Sequence, residues 1–170
     1  MWDKDEKMVE LINTHYNLEL CSHNMYIELA SRLHLMGHLY ASEFLKKLAK
    51  DKIGPHMDRI YGYFTSLDLQ IAVNQHSLPK EAIDSYDISE IFKAVLDNEI
   101  LLRKHVKYLV NFALSVKDYE SFEFLQWFVR DAIKDINDVK DIIGYIEAGG
   151  DNKLSIEAMI RKWLKDNSDN

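Results

Sequence analysis

Apolar side chains recur along this chain in alternating steps of three and four residues, over four long stretches. This spacing places them on one face of an α-helix, the face that packs into the core of a helix bundle. The pattern predicts four long helices, over residues 3–36, 39–67, 88–115 and 119–148. Gly149-Gly150 then ends the fourth helix, and residues 154–165 predict a short amphipathic fifth helix.

A polar segment, residues 68–87, separates the second predicted helix from the third. It contains Asn74, Pro79 and Asp84 and lacks a helical pattern, so it predicts a long crossover connection rather than a core element. Two helix pairs joined by one long connection form a four-helix bundle of the all-α class. We therefore expect one domain, residues 1–170, with the bundle over residues 3–148.

The second predicted helix is irregular at Gly54-Pro55. On both sides of this dipeptide, the residues expected to face the core are spaced alternately four and three residues apart. Between Lys52 and His56 the alternation requires a spacing of three, but the spacing is four. One residue is therefore inserted. Proline also removes a backbone donor and clashes with the carbonyl group four residues earlier, that of Asp51. We expect a continuous helix with a local bulge that absorbs the extra residue.

Composition agrees with a helical single-domain protein and limits its class. The 170 residues are 47% apolar and 29% charged, with 6 glycines and 2 prolines. The net charge of -7 argues against nucleic acid as the primary partner. No apolar run approaches the ~20 residues that a membrane span needs, and the charged start MWDKDEKM does not resemble a signal peptide. Together with the single cysteine, Cys21, these features predict a cytoplasmic protein without a membrane partner.

Six polar residues interrupt the apolar faces near the middle of the four helices: Glu19, His23, Lys52, His56, Glu99 and Asp135. We expect them to meet at one level of the bundle. Buried carboxylates need cations, and the cation here is either a metal ion or the Lys52 ammonium. Carboxylates with a histidine one turn away suit iron or a similar divalent metal, whereas the alternative for each residue is a hydrogen-bonded core position. Tyr26 is either a packing residue or a redox partner of such a site.

Three short motifs carry a resemblance to a known family. NLEL at residues 17–20, DNE at 97–99 and FLQWF at 124–128 are similar to segments of bacterial non-haem ferritins, and the match covers nearly all of the chain. The resemblance implies a ferritin-like four-helix bundle in a homo-oligomeric shell of twenty-four subunits. Such a shell oxidises ferrous iron at a dinuclear centre and stores ferric mineral. Haem is not expected, because the second helix offers Ile53 and Met57 but no methionine where haem-containing relatives place theirs.

The resemblance also implies roles at the dinuclear centre. Glu19 and Glu99 match two ligands of the ferroxidase centre, and Asp135 stands where the family has a glutamate. Tyr26 matches the tyrosine beside that centre.

Further acids match positions outside the dinuclear centre. Glu123, with Glu120 nearby, matches an acid that lines the three-fold iron channel of animal ferritins. Asp51 and Asp131 match acids of an accessory third metal site. Asp51 and Asp58 match second-helix positions that face the cavity and nucleate mineral. Acids at helix starts are also favoured by the helix dipole, and exposed acids on a helix are often only a solvated face.

The second helix departs from the family pattern. Where ferritins have a glutamate that bridges both irons and a histidine three residues later, this chain has Lys52, and His56 follows one residue late. Ala132 and Lys134 likewise replace a glutamine and an acid of the fourth helix. Vertebrate light-chain ferritins resemble this arrangement, with a lysine at the same place and mineralisation without fast oxidation. The resemblance therefore implies a degenerate centre whose ferroxidase activity is weakened, altered or absent.

Three functions remain open at the level of sequence. The favoured one is iron storage in a ferritin shell, with Glu19, His23, His56 and Glu99 as a possible single-metal site at a shifted position. The second is a metal-poor structural or protective shell, one that shields DNA for example, in which Lys52 neutralises the carboxylates. The third is a soluble dinuclear oxidase, which the missing bridging acid disfavours.

Overall fold

The structure is a computed structural model that describes residues 2–74 and 84–168. In chain order its helices are α1 (Glu6–Leu35), α2 (Leu39–Asp51), a π-helical turn (Lys52–His56), α3 (Met57–Ser66), α4 (Ile88–Ser115), α5 (Tyr119–Gly149) and α6 (Lys153–Asp166). The predicted all-α bundle, with its long crossover and short C-terminal helix, is confirmed. The middle of the crossover, residues 75–83 with Pro79, lies outside the described residues. No described helix has an apolar stretch long enough to cross a membrane.

Short polar side chains fix the starts of most helices. Asp5, Asp87, Asp118 and Asn152 each accept a hydrogen bond from the backbone N–H three residues ahead, at 2.9–3.1 Å. This bond satisfies one of the donors that the first helical turn leaves unpaired. The start of α2 has no such cap of its own and depends on a carboxylate from α6 instead.

The π-helical turn confirms the bulge predicted at Gly54-Pro55. The N–H of Met57 bonds to the carbonyl oxygen of Lys52, five residues earlier, so the turn holds one residue more than an α-helical turn. Because the extra residue is absorbed there, α2, the π turn and α3 form one continuous helix. Lys52 and His56 both face the core, with 1% and 4% of their surface exposed.

Apolar side chains form two separate clusters, one towards each end of the bundle. One is centred on Leu29, Phe44, Phe92, Ile142 and Trp163, and the other on Ile12, Phe64, Leu109, Leu125 and Phe128. Between them lies a buried polar layer with side chains from α1, the π turn, α4 and α5. The apolar clusters exclude water from both sides of this layer, which strengthens every charge interaction within it.

The described part of the crossover is held against α1 by two asparagines. The Nδ2 groups of Asn13 and Asn17 both donate to the carbonyl oxygen of Ala72, at 3.0 and 2.9 Å. In return, the backbone N–H groups of Ala72 and Asn74 donate to Oδ1 of Asn13 and Asn17, at 2.9 and 2.8 Å. Each of the two side-chain amides thus both donates a hydrogen bond to the loop backbone and accepts one from it, as the backbone of a neighbouring β-strand does.

Candidate metal centre

Lys52 lies at the centre of the polar layer, between acids of α4 and α5. Its Nζ is 2.9 Å from Oε1 and 3.0 Å from Oε2 of Glu99, and 3.0 Å from Oδ2 of Asp135. Burial alone would lower the pKa of Lys52, but the carboxylates of Glu99, Asp135 and Glu19 outweigh it and hold this pKa well above its ordinary value. Lys52 is therefore charged at neutral pH.

Asp135 is the acid of this layer that titrates near neutrality. Burial raises its pKa to about 7, helped by repulsion from Glu99 and Asp131 and opposed by Lys52 and His56. One ammonium thus contacts two carboxyl groups, those of Glu99 and Asp135.

A second set of contacts runs through His56. Its Nδ1 lies 3.0 Å from Oε1 of Glu19, and its Nε2 lies 2.7 Å from Oδ2 of Asp131. Burial would lower the pKa of His56, but Glu19 and Asp131 raise it to about 9. Burial likewise opposes ionisation of Glu19, yet His56, Lys52 and His15 hold the pKa of Glu19 well below its ordinary value. At neutral pH, His56 is a cation between two carboxylates.

The FLQWF motif holds the imidazole ring of His56 in place. Trp127 and Phe128 each meet that ring edge to face, with ring centroids 5.1 and 5.8 Å away. The guanidinium group of Arg59 in turn covers Trp127, at 3.9 Å from the ring centroid. Aromatic packing of this kind restricts ring rotation, so His56 keeps its two carboxylate contacts.

Two further histidines extend the layer towards the opposite side of the bundle. Nε2 of the buried His15 lies 2.9 Å from Oε1 of Glu19 without a linear hydrogen bond, and its Nδ1 lies 2.9 Å from Nδ1 of His105. Burial and the neighbouring His15 lower the pKa of His105 to about 4. His105 is therefore neutral at physiological pH, which allows the close contact between the two rings.

Tyr26 closes the layer at the end nearer the first apolar cluster. Its hydroxyl donates to Oε1 of Glu99 at 2.7 Å and accepts from Nδ2 of Asn98 at 2.8 Å. Burial and the charge of Glu99 raise the pKa of Tyr26 well above its ordinary value. Tyr26 is thus a fixed hydrogen-bond donor to a carboxylate.

Little free space remains between these charged groups. The cavity lined by Glu19, Lys52, His56, Glu99 and Asp135 has a volume of about 10 Å³. That is about the minimum that one water molecule requires. The Lys52 ammonium, rather than open space, lies between Glu99 and Asp135.

One group of side chains is still close enough to hold a single metal ion. A ring nitrogen of His56 and carboxylate oxygens of Asp131 and Asp135 lie within 4.8 Å of one another. A metal ion there would have to displace the proton of His56 and would lie beside the Lys52 ammonium. Metal binding at this position is therefore opposed by protonation and by charge.

Comparison with known proteins identifies the family. The family model for the ferritin-like domain matches residues 9–148. The chain belongs to the ferritin-like family.

Several ferritins and uncharacterised proteins are similar to this chain over most of its length. An uncharacterised protein of Ureaplasma parvum is 34% identical in an alignment that covers 95% of this chain and 94% of that protein. The bacterial non-haem ferritin of Escherichia coli is 28% identical over 144 residues, 85% of this chain and 86% of that ferritin. The crystal structure of M. penetrans ferritin matches with a TM-score of 0.89 and 35% identity, over 95% of this chain and 98% of that one. Membership of the ferritin-like family supports iron storage as the general function of the chain.

The ferritin-like centre is not assembled from all the residues that the sequence suggested. Glu19, Lys52, His56, Glu99 and Asp135 do meet, with distances of 2.9–3.0 Å between neighbours. Asp131 joins them through His56, and Tyr26 joins through Glu99.

The prediction that His23 faces the core was wrong. Its ring is half-buried, and its Nδ1 contacts Oδ1 of Asn24 at 3.0 Å on the outer face of α1. The inward face of α1 instead includes His15 and Ser22, which are both buried, whereas His23 is not. The spacing of four residues between His15 and Glu19 was the available signal for the histidine that sequence reasoning missed.

The remaining predicted ferritin positions lie away from the polar layer. Asp51 is half-buried beside the π turn and forms no ion pair among the described residues. Asp58 and Glu123 are exposed, on α3 and near the start of α5. Glu120 is also exposed and pairs with Lys4. Roles in a channel, an accessory site or mineral nucleation remain predictions for these four acids.

Proposed function

We propose that this chain is a subunit of a cytoplasmic iron-storage shell, of twenty-four copies, whose central site does not work as a dinuclear ferroxidase centre. The family and the named ferritin relatives support storage. The ammonium of Lys52 lies within 3.0 Å of both Glu99 and Asp135, which supports the absence of a working dinuclear centre.

The ammonium of Lys52 occupies the place where a metal ion would contact those two acids. A carboxylate at position 52 would instead supply the bridge that holds two irons close together for the reduction of dioxygen. Removing the bridge and adding a positive charge both disfavour a pair of ferrous ions. Fast oxidation of iron at this site is therefore suppressed, and mineral forms from iron that is oxidised elsewhere in the shell or by another oxidant.

A single iron bound by His56, Asp131 and Asp135 is the altered form of the centre that the geometry allows. Because the pKa of His56 is raised to about 9, this iron would compete with a proton at neutral pH. We expect its affinity to rise with pH up to about that value. This position replaces the shifted site with His23, because His23 lies outside the layer.

Acids outside the polar layer provide the storage chemistry in this proposal. Asp51 and Asp58, on the second bundle helix, nucleate mineral on the cavity side. Glu123 and Glu120, in the first turns of α5, line the entry channel. A Glu123→Gln variant that still assembles should take up less iron, and unchanged uptake would remove Glu123 from the channel.

The decisive experiment measures the oxidation of ferrous iron by purified protein, with dioxygen and with peroxide. The variants are Lys52→Glu and, as a control, Lys50→Glu, which makes the same charge change at an exposed position two residues away. We expect slow oxidation for wild type and Lys50→Glu and at least tenfold faster oxidation for Lys52→Glu. Fast oxidation by wild type would contradict the proposal. Equal rates in wild type and Lys52→Glu would assign the block to the π turn instead.

The closed ion-pair layer also favours a second function, a protective shell that stores little metal. Iron loading distinguishes the two functions. An assembled shell that accumulates a ferric mineral supports storage, and one that remains without iron under the same conditions supports the protective shell.

A further inference from the structure

Two histidines of neighbouring helices face each other at the edge of the polar layer. Nδ1 of His15, on α1, lies 2.9 Å from Nδ1 of His105, on α4. The ring planes are 3° apart, and the ring centroids are 5.1 Å apart. This centroid distance is near the largest that a 2.9 Å contact between the two nitrogens permits, so the rings meet end to end in almost one plane. The lone-pair directions of the two nitrogens therefore converge on one point between them.

The contacts of His15 decide where its hydrogen lies. Nε2 of His15 is 2.9 Å from Oε1 of Glu19, and a nitrogen without a hydrogen would repel that carboxylate. We therefore assign the hydrogen of the neutral His15 ring to Nε2, which leaves Nδ1 as a lone-pair donor. A carboxylate beside the second ring nitrogen is the usual support of a metal-binding histidine, because it fixes the tautomer and makes the other nitrogen more basic.

The surroundings of the pair favour an ion that needs few ligands. His15 is 1% exposed, and Phe128 meets its ring edge to face, with ring centroids 5.6 Å apart. His105 is half-buried and neutral at physiological pH, so an ion can reach the pair from outside the bundle. In the described parts of the chain, neither histidine belongs to a group of three His, Cys, Asp or Glu side chains able to share one ion. This disfavours zinc and ferrous ions, which need three or more protein ligands.

We infer that His15 and His105 bind one monovalent copper ion, Cu(I), between their Nδ1 atoms. Cu(I) accepts two ligands on a straight line, which is the arrangement of these nitrogens, and imidazole is among the ligands that suit copper. The inference does not depend on iron storage.

Binding requires a change of tautomer and a small movement at His105. Its Nδ1 gives up a hydrogen to water and its Nε2 takes one up, so both rings stay neutral, and the carboxylate of Glu19 balances the charge of the ion through His15. With metal–nitrogen bonds of about 2.0 Å, as zinc forms with imidazole, the two nitrogens must lie about 4 Å apart, so the ring of His105 shifts outward by about 1 Å. Because that ring is half-buried, the shift does not disturb the core.

Titration of the assembled apoprotein with Cu(I), without dioxygen and against a chromophoric chelator, tests the inference. Wild type and Cys21→Ser, which lacks the single thiol of the chain, should both bind Cu(I), and Cys21→Ser should hold one ion per subunit. In the Cys21→Ser background, His105→Gln removes a direct ligand and should weaken binding by at least the 10- to 100-fold that loss of a ligand's supporting partner costs. His23→Gln, at a half-buried histidine on the outer face of α1, is the matched control and should change binding less than twofold.

X-ray absorption of the Cu(I)-loaded Cys21→Ser protein gives a second test that does not require His105→Gln to fold. We expect two imidazole nitrogens at the ion and no sulfur. The inference is wrong if Cys21→Ser binds no Cu(I), because a hydrogen bond alone then joins the two rings. It is also wrong if His105→Gln and His23→Gln lose affinity equally, or if the spectrum shows sulfur or four ligands.

Discussion

The ammonium nitrogen of Lys52 lies 2.9 Å from Oε1 of Glu99, and neither side chain is more than 2% exposed. The two charges have lost their water and depend on each other. A buried pair of this kind adds little net stability when it is complete, because desolvation offsets the attraction, but it is costly to break.

Replacing Lys52 with methionine should therefore destabilise the protein strongly. The change leaves the carboxylates of Glu99 and Asp135 buried without their cation, and the expected loss is about 3–5 kcal/mol of unfolding free energy. Chemical denaturation would measure it, with Lys50→Met at an exposed position as the control. Adding Glu99→Gln to Lys52→Met should restore part of the loss. A Lys52→Met protein as stable as the control would show that the ion pair is not formed.

Stability should fall as the pH rises from 7 to 9.5. The pKa of His56 is about 9 in the folded protein and 6.5 without its partners. Protonated His56 therefore stabilises the fold fully below pH 6.5, and this contribution is lost as the pH rises through 9. The pKa difference corresponds to about 3 kcal/mol. Thermal unfolding across this range should show the decrease in wild type and a much flatter profile in His56→Gln.

Two carboxylate oxygens of Glu157 cap the start of α2 from the C-terminal helix. Oε1 accepts from the N–H of Tyr40 at 2.9 Å, and Oε2 accepts from the N–H of Ala41 at 3.1 Å. Glu157→Gln replaces one acceptor by a donor and removes the charge that the helix N-terminus favours, so it should cost about 1–2 kcal/mol. Hydrogen exchange should be faster in α6 and at the start of α2. Glu147→Gln, at an exposed position, should leave both unchanged.

The anchoring of the crossover to α1 can be tested at one residue. Asn17→Ala removes the acceptor of the Asn74 N–H, which lies 2.8 Å from Oδ1 of Asn17, and one donor to Ala72. We expect hydrogen exchange of the Asn74 amide to accelerate at least tenfold, while α4 and α5 stay protected. Asn111→Ala, at an exposed position on α4, is the matched control. An unchanged rate at Asn74 would mean that the loop is held by other contacts.

Most of the fold was predictable because the signal for it is repetitive. Each bundle helix repeats its inward pattern over many turns, so a single polar or small residue does not obscure it. The π turn was predictable for the same reason, since a count of steps across Gly54-Pro55 detects an inserted residue. Helix ends were harder to predict, because a helix start depends on a single capping side chain. Helix α1 begins at Glu6, directly after its cap Asp5, and not at residue 3.

The polar layer was predictable in part. Residues flanked by apolar positions on both sides, such as Glu99 and Asp135, were placed correctly, because neighbouring turns define the inward direction. On α1 the apolar and polar residues are more mixed, so the spacing alone did not show that His15 and Ser22 are buried and that His23 is only half-buried. The pairing of His15 with His105 involves residues on different helices and could not follow from spacing within either one.

Pro55 has an evolutionary consequence. Deleting it would remove the surplus residue and the missing backbone donor in one event, and would leave the histidine three residues after position 52 on a regular helix. With Lys52→Glu as well, the segment would read Glu-x-x-His, the pattern from which helix bundles build dinuclear iron sites. One deletion and one substitution would therefore restore the second-helix motif of such a centre, while Ala132, Lys134 and Asp135 of the fourth bundle helix would still differ from it. Deletion of Pro55 alone leaves a lysine in the site, and Lys52→Glu alone leaves the histidine displaced by one residue. Each single change therefore gives a protein that has neither the complete ion-pair layer nor the complete Glu-x-x-His motif.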